Sequence, residues 1–212
     1  MKIGIVGTGS VGRTLAARLV ELGHDVVIGT RDVAATEAKA EEPFPAPLRT
    51  SAEAAAHAEV VINATGGQVS VSALQGAGAE NLAGKVLIDI ANPLDFSDGF
   101  PPTLAVCNTD SLGEQIQRAF PDAHVVKTLN TVNADVMAYP EKLADGDHTM
   151  FVSGNSDEAK STVLQLLREF GWRDIIDLGD ITNARATEML LPLWVRLMAP
   201  LGTMAYNYKV VR

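Results

Sequence analysis

Six residues near the start of the chain have the types and spacing of a phosphate-binding turn. The turn follows the apolar stretch 3–6 directly and reads Gly7-Thr8-Gly9-Ser10-Val11-Gly12. Glycines at its first, third and sixth places allow a tight turn, a close approach of the backbone to a pyrophosphate, and close packing of the next helix. Apolar residues then repeat at helical spacing over 11–22, and Gly23 ends the pattern. This order predicts a dinucleotide site in which the helix N-terminus faces the pyrophosphate.

The end of the second predicted strand indicates which dinucleotide would bind. An acidic residue at this place accepts a ribose hydroxyl in sites for the cofactor without a 2'-phosphate, but this chain has Thr30 followed by Arg31. A hydroxyl and a guanidinium suit a phosphate, so NADPH is predicted rather than NADH. Asp32 is interpreted as the cap of a helix that begins at Val33, and a solvated surface position remains the alternative for Arg31.

Three later strand ends are predicted to line the same cleft, because ligands of open parallel sheets bind beyond the carboxyl ends of the strands. The segments are 64–67, which contains Thr65 and Gly66, 90–93, which contains Asn92, and 128–131, which contains Asn130. The two asparagines are candidates for orienting a nicotinamide carboxamide or a partner ring. A role in stabilising a turn is an equal alternative for each.

The whole pattern predicts an α/β fold of the Rossmann type, with a doubly wound, mostly parallel sheet and a C-terminal helix packed on it. Strands are predicted at 2–6, 25–29, 59–63, 85–89, 124–128, 148–153 and 173–178, with helices at 11–22 and 156–170. The proline-rich segments 41–47 and 92–102 are predicted to be surface loops. The stretch 189–201 is interpreted as a buried helix. A single domain over residues 1–212 is expected.

Composition disfavours some partners. With 17 Lys and Arg against 26 Asp and Glu the net charge is −9, which argues against nucleic acids and anionic membranes as partners. The first residues run straight into a strand-like segment, so no export signal is expected, and the one cysteine, Cys107, fits a cytoplasmic location.

The residues for several other chemistries are missing. Tyr139, Tyr206 and Tyr208 lack the Tyr-to-Lys spacing of many alcohol dehydrogenases, and four scattered histidines predict no metal site. Cys107 is not assigned as a nucleophile. For Lys127 two roles remain open, an ion pair with a carboxylate or a contact with the cofactor. No catalytic acid or base is therefore predicted, and none is needed if hydride passes directly between two stacked rings.

The chain resembles the deazaflavin-dependent NADP oxidoreductase family and is similar to the NADPH-binding domain of six-transmembrane ferric reductases. The resemblance rests on the turn 7–12, the Thr30-Arg31 pair, the run 125–131 and the ending 206–212. It implies hydride transfer between NADP(H) and an 8-hydroxy-5-deazaflavin coenzyme or a flavin. By position it implies that Thr8, Gly9, Ser10 and Val11 hold the pyrophosphate. It implies that Thr30 and Arg31 hold the 2'-phosphate, and that Asn92 and Ala134 hold the nicotinamide end.

Two departures from the family pattern bear on function. Asn130 stands where the archaeal deazaflavin enzymes have a histidine, which leaves the acceptor open, and Ala35 replaces an expected basic phosphate contact, which implies a looser hold on NADPH. The resemblance also implies that the C-terminal helix and tail, about 182–212, close the pocket and help to form a homodimer. Two alternatives stay open: an NADPH-binding sensor without turnover, and a hydroxyacid or imine dehydrogenase.

Overall fold

Short apolar strands alternate with helices along the whole chain in the computed structural model, which describes residues 1–212. The strands are β1 Lys2–Val6, β2 Asp25–Thr30, β3 Leu48–Thr50, β4 Val60–Asn63, β5 Val86–Asp89, β6 Leu94–Asp95, β7 Thr103–Leu104, β8 His124–Thr128, β9 Thr149–Gly154 and β10 Asp174–Asp177. The helices are α1 Ser10–Glu21, α2 Val33–Ala38, α3 Ser51–His57, α4 Ser70–Ala77, α5 Ala79–Leu82, α6 Leu112–Ala119, α7 Ala134–Ala138, α8 Asp157–Phe170, α9 Ala184–Met189 and α10 Leu191–Leu201.

Eight strands form one sheet in the order β10-β9-β8-β5-β4-β1-β2-β3. The seven strands predicted from the sequence all belong to this sheet, and their observed ends lie within one residue of the predicted ones. All neighbours pair in parallel except β8 and β9, which pair antiparallel. The doubly wound, mostly parallel fold is therefore confirmed. The order reverses at β1, since β2 pairs with one of its edges and β4 with the other. Ligands of such sheets bind in the crevice at this point.

The two faces of the sheet are covered by different helices. Helices α1, α7 and α8 enclose a buried cluster on one face, and α3 to α6 enclose a second cluster on the other. Because the inner strands are buried on both faces, they read as continuous apolar runs in the sequence.

Two predictions of local structure need correction. The segment 92–102 is not entirely a loop, because β6 within it pairs antiparallel with β7 to form a two-stranded ribbon. In the stretch 189–201, α9 ends at Met189 and α10 covers Leu191–Leu201, but α10 is buried on one side only. There Trp194 and its neighbours form a small separate cluster with the ribbon and the C-terminal tail, while Leu193 and Leu201 are each 52% exposed. Apolar sequence indicated burial, but the covered side is decided by tertiary contacts.

Candidate active site

The glycine-rich turn joins β1 to α1, and two of its three glycines are required by the chain itself. A Cβ on Gly7, whose φ is +128°, would lie 2.4 Å from the carbonyl oxygen of Ala64. A Cβ on Gly12 would lie 2.3 Å from the carbonyl oxygen of Gly7. Both distances are far below contact, so the turn and the packing of α1 on β1 depend on these glycines.

Gly9 is different, because a Cβ there would meet no atom of the chain within 4 Å. It is the N-cap of α1, with φ −72° and ψ −178°, values that any residue can adopt. No side chain caps α1, so its first N–H groups face open space with their share of the helix dipole. A bare backbone and free donors fit a pyrophosphate at this place.

A cleft of about 1060 Å³ lies along the ends of β1 and β2. Thr8, Thr30 and Arg31 line it, as predicted from the sequence. Arg31 is exposed and forms no ion pair with the chain, so its guanidinium is available to an anion. Asp32 caps α2 by accepting a hydrogen bond from the backbone N–H of Ala35 at 2.9 Å, as expected.

The Thr30 hydroxyl is already engaged by its neighbours. Thr36 uses its single hydroxyl proton to donate to the carbonyl oxygen of Asp32 at 2.6 Å. Thr30, whose oxygen lies 2.7 Å from that of Thr36, must therefore be the donor of that pair. A phosphate that accepts from Thr30 has to compete with Thr36, which leaves most of the attraction to cationic groups.

Sequence reasoning missed two cations of this cleft. Lys39 lines the cleft from just beyond the end of α2. It lies one helical turn after Ala35, the position at which the family pattern has a basic residue and this chain does not. Arg13 lines the cleft from α1, where its guanidinium lies 3.9 Å from the centre of the Phe44 ring and donates to the carbonyl oxygen of Glu42 at 2.7 Å. The four-residue spacing from Ala35 to Lys39 was the available signal. Arg13 is positioned by the loop 41–47, which no local pattern reveals.

A second cleft of about 860 Å³ adjoins the first, and Thr65 and Val69 line both. Its lining includes residues from the turn and from two of the three predicted strand ends, 64–67 and 90–93, among them Ser10, Val11, Thr65, Gly66 and Asn92. The third segment, 128–131, does not line the cleft; the residues just after it, 132–135, which include Ala134, do. The apolar wall of this cleft comes from distant parts of the chain and consists of Phe96 of the ribbon, Met137 of α7, Trp194 of α10 and Met204. Phe96 and Met137 were not predicted, whereas Trp194 and Met204 lie in the C-terminal segment 182–212 that the resemblance placed at the pocket.

The two asparagines have different places. Asn92 lines the second cleft, whereas Asn130 is buried and lies outside the lining of both clefts. They bond reciprocally: Asn92 donates to the carbonyl oxygen of Asn130 at 2.8 Å, and the Asn130 amide donates to Asn92 Oδ1 at 3.0 Å. Asn130 also donates to the carbonyl oxygen of Thr187 at 3.1 Å. It therefore holds the Asn92 loop to α9.

Lys127 is fully buried between two carboxylates. Its Nζ lies 2.8 Å from Asp89 Oδ2 and 2.9 Å from Glu188 Oε1, and it also donates to the carbonyl oxygen of Ala91. Burial by itself lowers the pKa of Lys127, but the charges of Asp89 and Glu188 outweigh it and raise the pKa above the ordinary lysine value. Of the two alternatives left by the sequence, the carboxylate partner is the one observed.

The extra negative charge of this cluster is met by N–H donors. Glu188 accepts from the backbone N–H groups of Leu112 and Gly113, at 2.8 and 3.0 Å, at the N-terminus of α6. Asp89 Oδ1 accepts from the side-chain amide of Asn63 at 2.8 Å. The cluster thus fastens the ends of β5 and β8 to α9, next to the apolar wall of the second cleft.

Comparison with known proteins agrees with this geometry. A family described as "NADP oxidoreductase coenzyme F420-dependent" matches residues 2–93. The F420-dependent NADP reductase of Methanothermobacter marburgensis is 30% identical over 209 residues, which are 93% of this chain and 92% of that protein. The chain belongs to the F420-dependent NADP oxidoreductase family. A crystal structure from Arthrobacter sp. FB24, provisionally named an F420-dependent NADP reductase, is 59% identical with a TM-score of 0.97 over the full length of both chains.

Membership of this family makes the chain an NADP-dependent oxidoreductase, and it confirms the resemblance found in the sequence. Metalloreductase STEAP3 of Rattus norvegicus is 32% identical over 220 residues, covering all of this chain but 42% of that protein. This chain thus spans about two fifths of the metalloreductases that it matches. An imine reductase from Streptomyces aurantiacus, at 18% identity and TM-score 0.62, shares the fold. None of the helices is both long and apolar enough to cross a bilayer.

Proposed function

We propose that this enzyme transfers hydride between NADPH and the ring of a deazaflavin or a flavin. The observation that carries the proposal is the continuity of the two clefts at Thr65 and Val69. One cleft has cations beside the turn at Gly9, and the other has an apolar, partly aromatic wall. A dinucleotide laid along the carboxyl ends of the strands would put its phosphates in the first and its nicotinamide in the second.

Different residues would bind different parts of the cofactor. Thr8, Gly9, Ser10 and Val11 would hold the pyrophosphate on the N-terminus of α1, with Gly7 and Gly12 shaping the turn. Arg31 and Thr30 would hold the 2'-phosphate, with Lys39 as a second cation. Thr65, Gly66, Asn92 and Ala134 would surround the nicotinamide end, and Asn130 would act by holding Asn92.

When bound, NADPH supplies a hydride from its nicotinamide ring and leaves as NADP+, while water supplies the proton that completes reduction of the acceptor. The chain's own part is to stack two flat rings and to exclude water from the space between them, where the hydride passes. Phe96, Met137, Trp194 and Met204 provide apolar surface for that purpose. No catalytic acid or base is assigned.

The acceptor is proposed from both groups of relatives. Several are named F420-dependent NADP reductases, and others are named metalloreductases. A ring-stacking wall accommodates a tricyclic acceptor better than a small imine or hydroxyacid, because those substrates need a positioned acid or base.

The C-terminal segment completes the proposal. Residues 182–212 would close the pocket, since Trp194 and Met204 line the second cleft and the Tyr206 hydroxyl donates to the Trp194 carbonyl oxygen. The exposed side of α10 would form a homodimer. A cytoplasmic location and a partnership with neither nucleic acid nor membrane stay predictions from composition.

The test is anaerobic oxidation of NADPH, followed by absorbance, with a deazaflavin, a flavin, a ferric chelate and a quinone offered in parallel. Turnover with a tricyclic ring supports the proposal. Tight NADPH binding without turnover of any acceptor would favour a sensor, and turnover of the ferric chelate alone would contradict the ring acceptor. NADH in place of NADPH is the control for cofactor choice.

A further inference from the structure

A buried histidine lies between the start of β9 and the C-terminal tail, and its two ring nitrogens have different partners. His148 precedes β9 and is 3% exposed. Its Nε2 lies 2.9 Å from the carbonyl oxygen of Pro140, and its Nδ1 lies 2.8 Å from the side-chain amide nitrogen of Asn207. The same amide nitrogen donates to the carbonyl oxygen of Thr149 at 2.9 Å. None of these residues lines either cleft.

The protons of this network follow from the two carbonyl oxygens at its ends. A carbonyl oxygen only accepts, so His148 Nε2 must carry a hydrogen and the Asn207 amide must turn its NH2 group towards Thr149. The second hydrogen of that group then points at His148 Nδ1, which must offer a lone pair. The amide keeps this orientation even though it leaves its Oδ1 buried without a partner. The imidazole is therefore neutral, because a hydrogen on Nδ1 would face another N–H group.

No charged side chain pairs with this ring. His148 forms no ion pair, and its other neighbour is the ring of Trp172, which it meets edge to face with 4.8 Å between centres. Asp174, at the start of β10, is engaged by the Thr149 hydroxyl and by Arg212. The other charged residues of the surrounding segments are exposed: Glu141, Lys142, Asp147, Arg173 and Lys209. The surroundings thus accommodate the neutral form of the ring and offer no partner to a charged one.

The tail connects this network to α10. Tyr206 and Tyr208 flank Asn207, and their hydroxyl groups reach the last helix. The Tyr206 hydroxyl donates to the carbonyl oxygen of Trp194, and the Tyr208 hydroxyl donates to that of Leu190 at 3.2 Å. Burial raises the pKa of both tyrosines, so both hydroxyls keep their protons and remain donors. Through its two neighbours, Asn207 therefore holds α10 at the second cleft.

The imidazole connects the same network to α7. The His148 ring packs against Trp172, whose indole N–H donates to the carbonyl oxygen of Met137 at 3.1 Å. Met137 and Trp194 both belong to the apolar wall of the second cleft. The bond between His148 and Asn207 therefore joins two wall residues that come from different elements.

We propose that His148 and Asn207 are positioning residues for the acceptor. Their hydrogen bond, made with a neutral imidazole, fixes the places of two wall residues in the second cleft, Met137 and Trp194. The inference rests on the proposed function and adds to it the residues that shape the acceptor end of the groove. Because neither residue lines a cleft, loss of the bond should weaken binding of the acceptor and spare the phosphate end of NADPH.

The first test reads the protonation of His148 in the unchanged enzyme. The chain has four histidines, so long-range 1H–15N spectra of the complex with NADP+ can resolve each imidazole. His148 is identified by the loss of its signals in His148→Gln. It is expected to be neutral at about pH 7, with its hydrogen on Nε2. An imidazolium, or a hydrogen on Nδ1, would overturn the inference.

The second test uses Asn207→Ala and Asn207→Asp. Aspartate keeps the shape of asparagine but has no N–H group, so both variants lose the amide donor. Each should weaken binding of the 8-hydroxy-5-deazaflavin coenzyme to the complex with NADP+ about fivefold to tenfold, and should leave the dissociation constant of NADPH within about twofold. Fluorescence titration measures both constants.

Asn81→Ala is the matched control. Asn81 is also half-buried and donates to a carbonyl oxygen, that of Ala77, at 2.8 Å, but it lies in α5, just before β5 and at the edge of the sheet opposite the clefts. It should change neither constant. The indole N–H signals give a readout without an acceptor, because the chain has two tryptophans, Trp172 and Trp194. Both signals should shift in Asn207→Ala and neither in Asn81→Ala.

Equal weakening of both ligands, unchanged ring binding in both Asn207 variants, or unchanged indole signals would overturn the inference. If a variant does not fold, the protonation of His148 in the unchanged enzyme still decides. The proposed function fails separately. Indole shifts as expected, in an enzyme that binds neither the deazaflavin coenzyme nor riboflavin, would contradict the proposed function alone.

Discussion

Gly9 and Gly12 lie in one turn, but a side chain at Gly12 would collide with the chain itself, whereas one at Gly9 would not. Substitution of each glycine by alanine tests this difference. Gly9→Ala should weaken NADPH binding at least tenfold and leave the melting temperature almost unchanged, because the methyl enters space that only a ligand would fill. Gly12→Ala should lower the free energy of unfolding by about 1–3 kcal/mol or more, because its Cβ meets the Gly7 carbonyl. Fluorescence titration and urea denaturation measure the two effects. Normal binding by Gly9→Ala would place the pyrophosphate elsewhere.

Arg31 should set the preference between the two nicotinamide cofactors. Its guanidinium is exposed in the first cleft without a partner, so Arg31→Ala should raise the dissociation constant of NADPH by about tenfold to a hundredfold and leave that of NADH unchanged. Arg49→Ala is the control, since Arg49 is exposed on the neighbouring strand β3 but does not line the cleft. An unchanged preference in Arg31→Ala would assign the 2'-phosphate to Lys39 or Arg13.

Residues near the turn could be predicted because short-range geometry fixes them. The glycine spacing and the offset of Arg31 from it follow from one strand-helix-strand unit, which the sequence reveals. Trp194 and Met204 reach the cleft only through the docking of the last helix and tail. That docking joins positions more than a hundred residues apart, so no local spacing contains it.

At the scale of elements, the buried cluster around Lys127 joins β5, β8 and α9. Lys127→Met should lower the free energy of unfolding by about 3–5 kcal/mol, because it leaves Asp89 and Glu188 buried without their cation. Urea denaturation measures the loss. The triple variant Lys127→Met/Asp89→Asn/Glu188→Gln should recover part of it, because no unpaired charge is then buried. A small effect of the single variant would mean that the cluster is not closed in solution.

Helix α6 is stabilised by a pair that responds to acid. Arg118 donates two hydrogen bonds to Asp110, just before the cap of α6, and these bonds lower the pKa of Asp110 from 3.8 to about 2. A carboxyl group with a lowered pKa contributes stability that is complete above its ordinary pKa and is lost as the pH falls through the folded value. The contribution, below about 1 kcal/mol for so exposed a pair, should disappear between pH 4 and 2.

Arg118→Gln removes this pair, so its urea midpoint should be lower than that of the unchanged chain at neutral pH and equal to it near pH 2. Arg168→Gln is a control, because Arg168 lies in the last turn of α8 and has no ion pair. A difference between Arg118→Gln and the unchanged chain that stays constant with pH would contradict the role of Asp110.

The long elements were predictable and the short ones were not. Strands β1, β2, β4, β5, β8 and β9 read as largely apolar runs with turn residues at their ends, because burial on both faces demands apolar side chains. Strand β10 lies at the edge of the sheet and is only partly buried, and its apolar part is the pair Ile175-Ile176. The three-residue β3 and the two-residue β6 and β7 carry no such run. Their existence depends on a neighbouring strand that supplies the hydrogen bonds, and pairing partners cannot be read from a stretch so short.

On the scale of the whole molecule, the groove joins two differently lined clefts within a chain of net charge −9. The second cleft has an apolar, partly aromatic wall and no cation, whereas the charged residues that line the first are three cations and three carboxylates: Arg13, Arg31, Lys39, Asp32, Glu41 and Glu42. The cations that can attract a phosphate therefore lie in the first cleft only. Their position gives a cofactor with several phosphates a direction along the sheet edge.

The exposed side of α10 presents large apolar side chains to solvent. Leu193, Leu197 and Leu201 follow one another at four-residue intervals along this helix, and Leu193 and Leu201 are each 52% exposed. An apolar stripe of this kind marks an interface in most proteins, so the chain is expected to be a homodimer.

Light scattering should give twice the mass of one chain for the unchanged protein, and Leu193→Glu/Leu201→Glu should give the mass of one. Val20→Glu is the matched control, because Val20 is 43% exposed on α1, away from this stripe. It should stay dimeric.

Because Trp194 lies beside Leu193 and lines the second cleft, loss of the dimer should also weaken riboflavin binding, whereas NADPH binding at the far end of the groove should not change. A monomeric mass for the unchanged protein would contradict the dimer and leave α10 as a helix that closes the pocket alone.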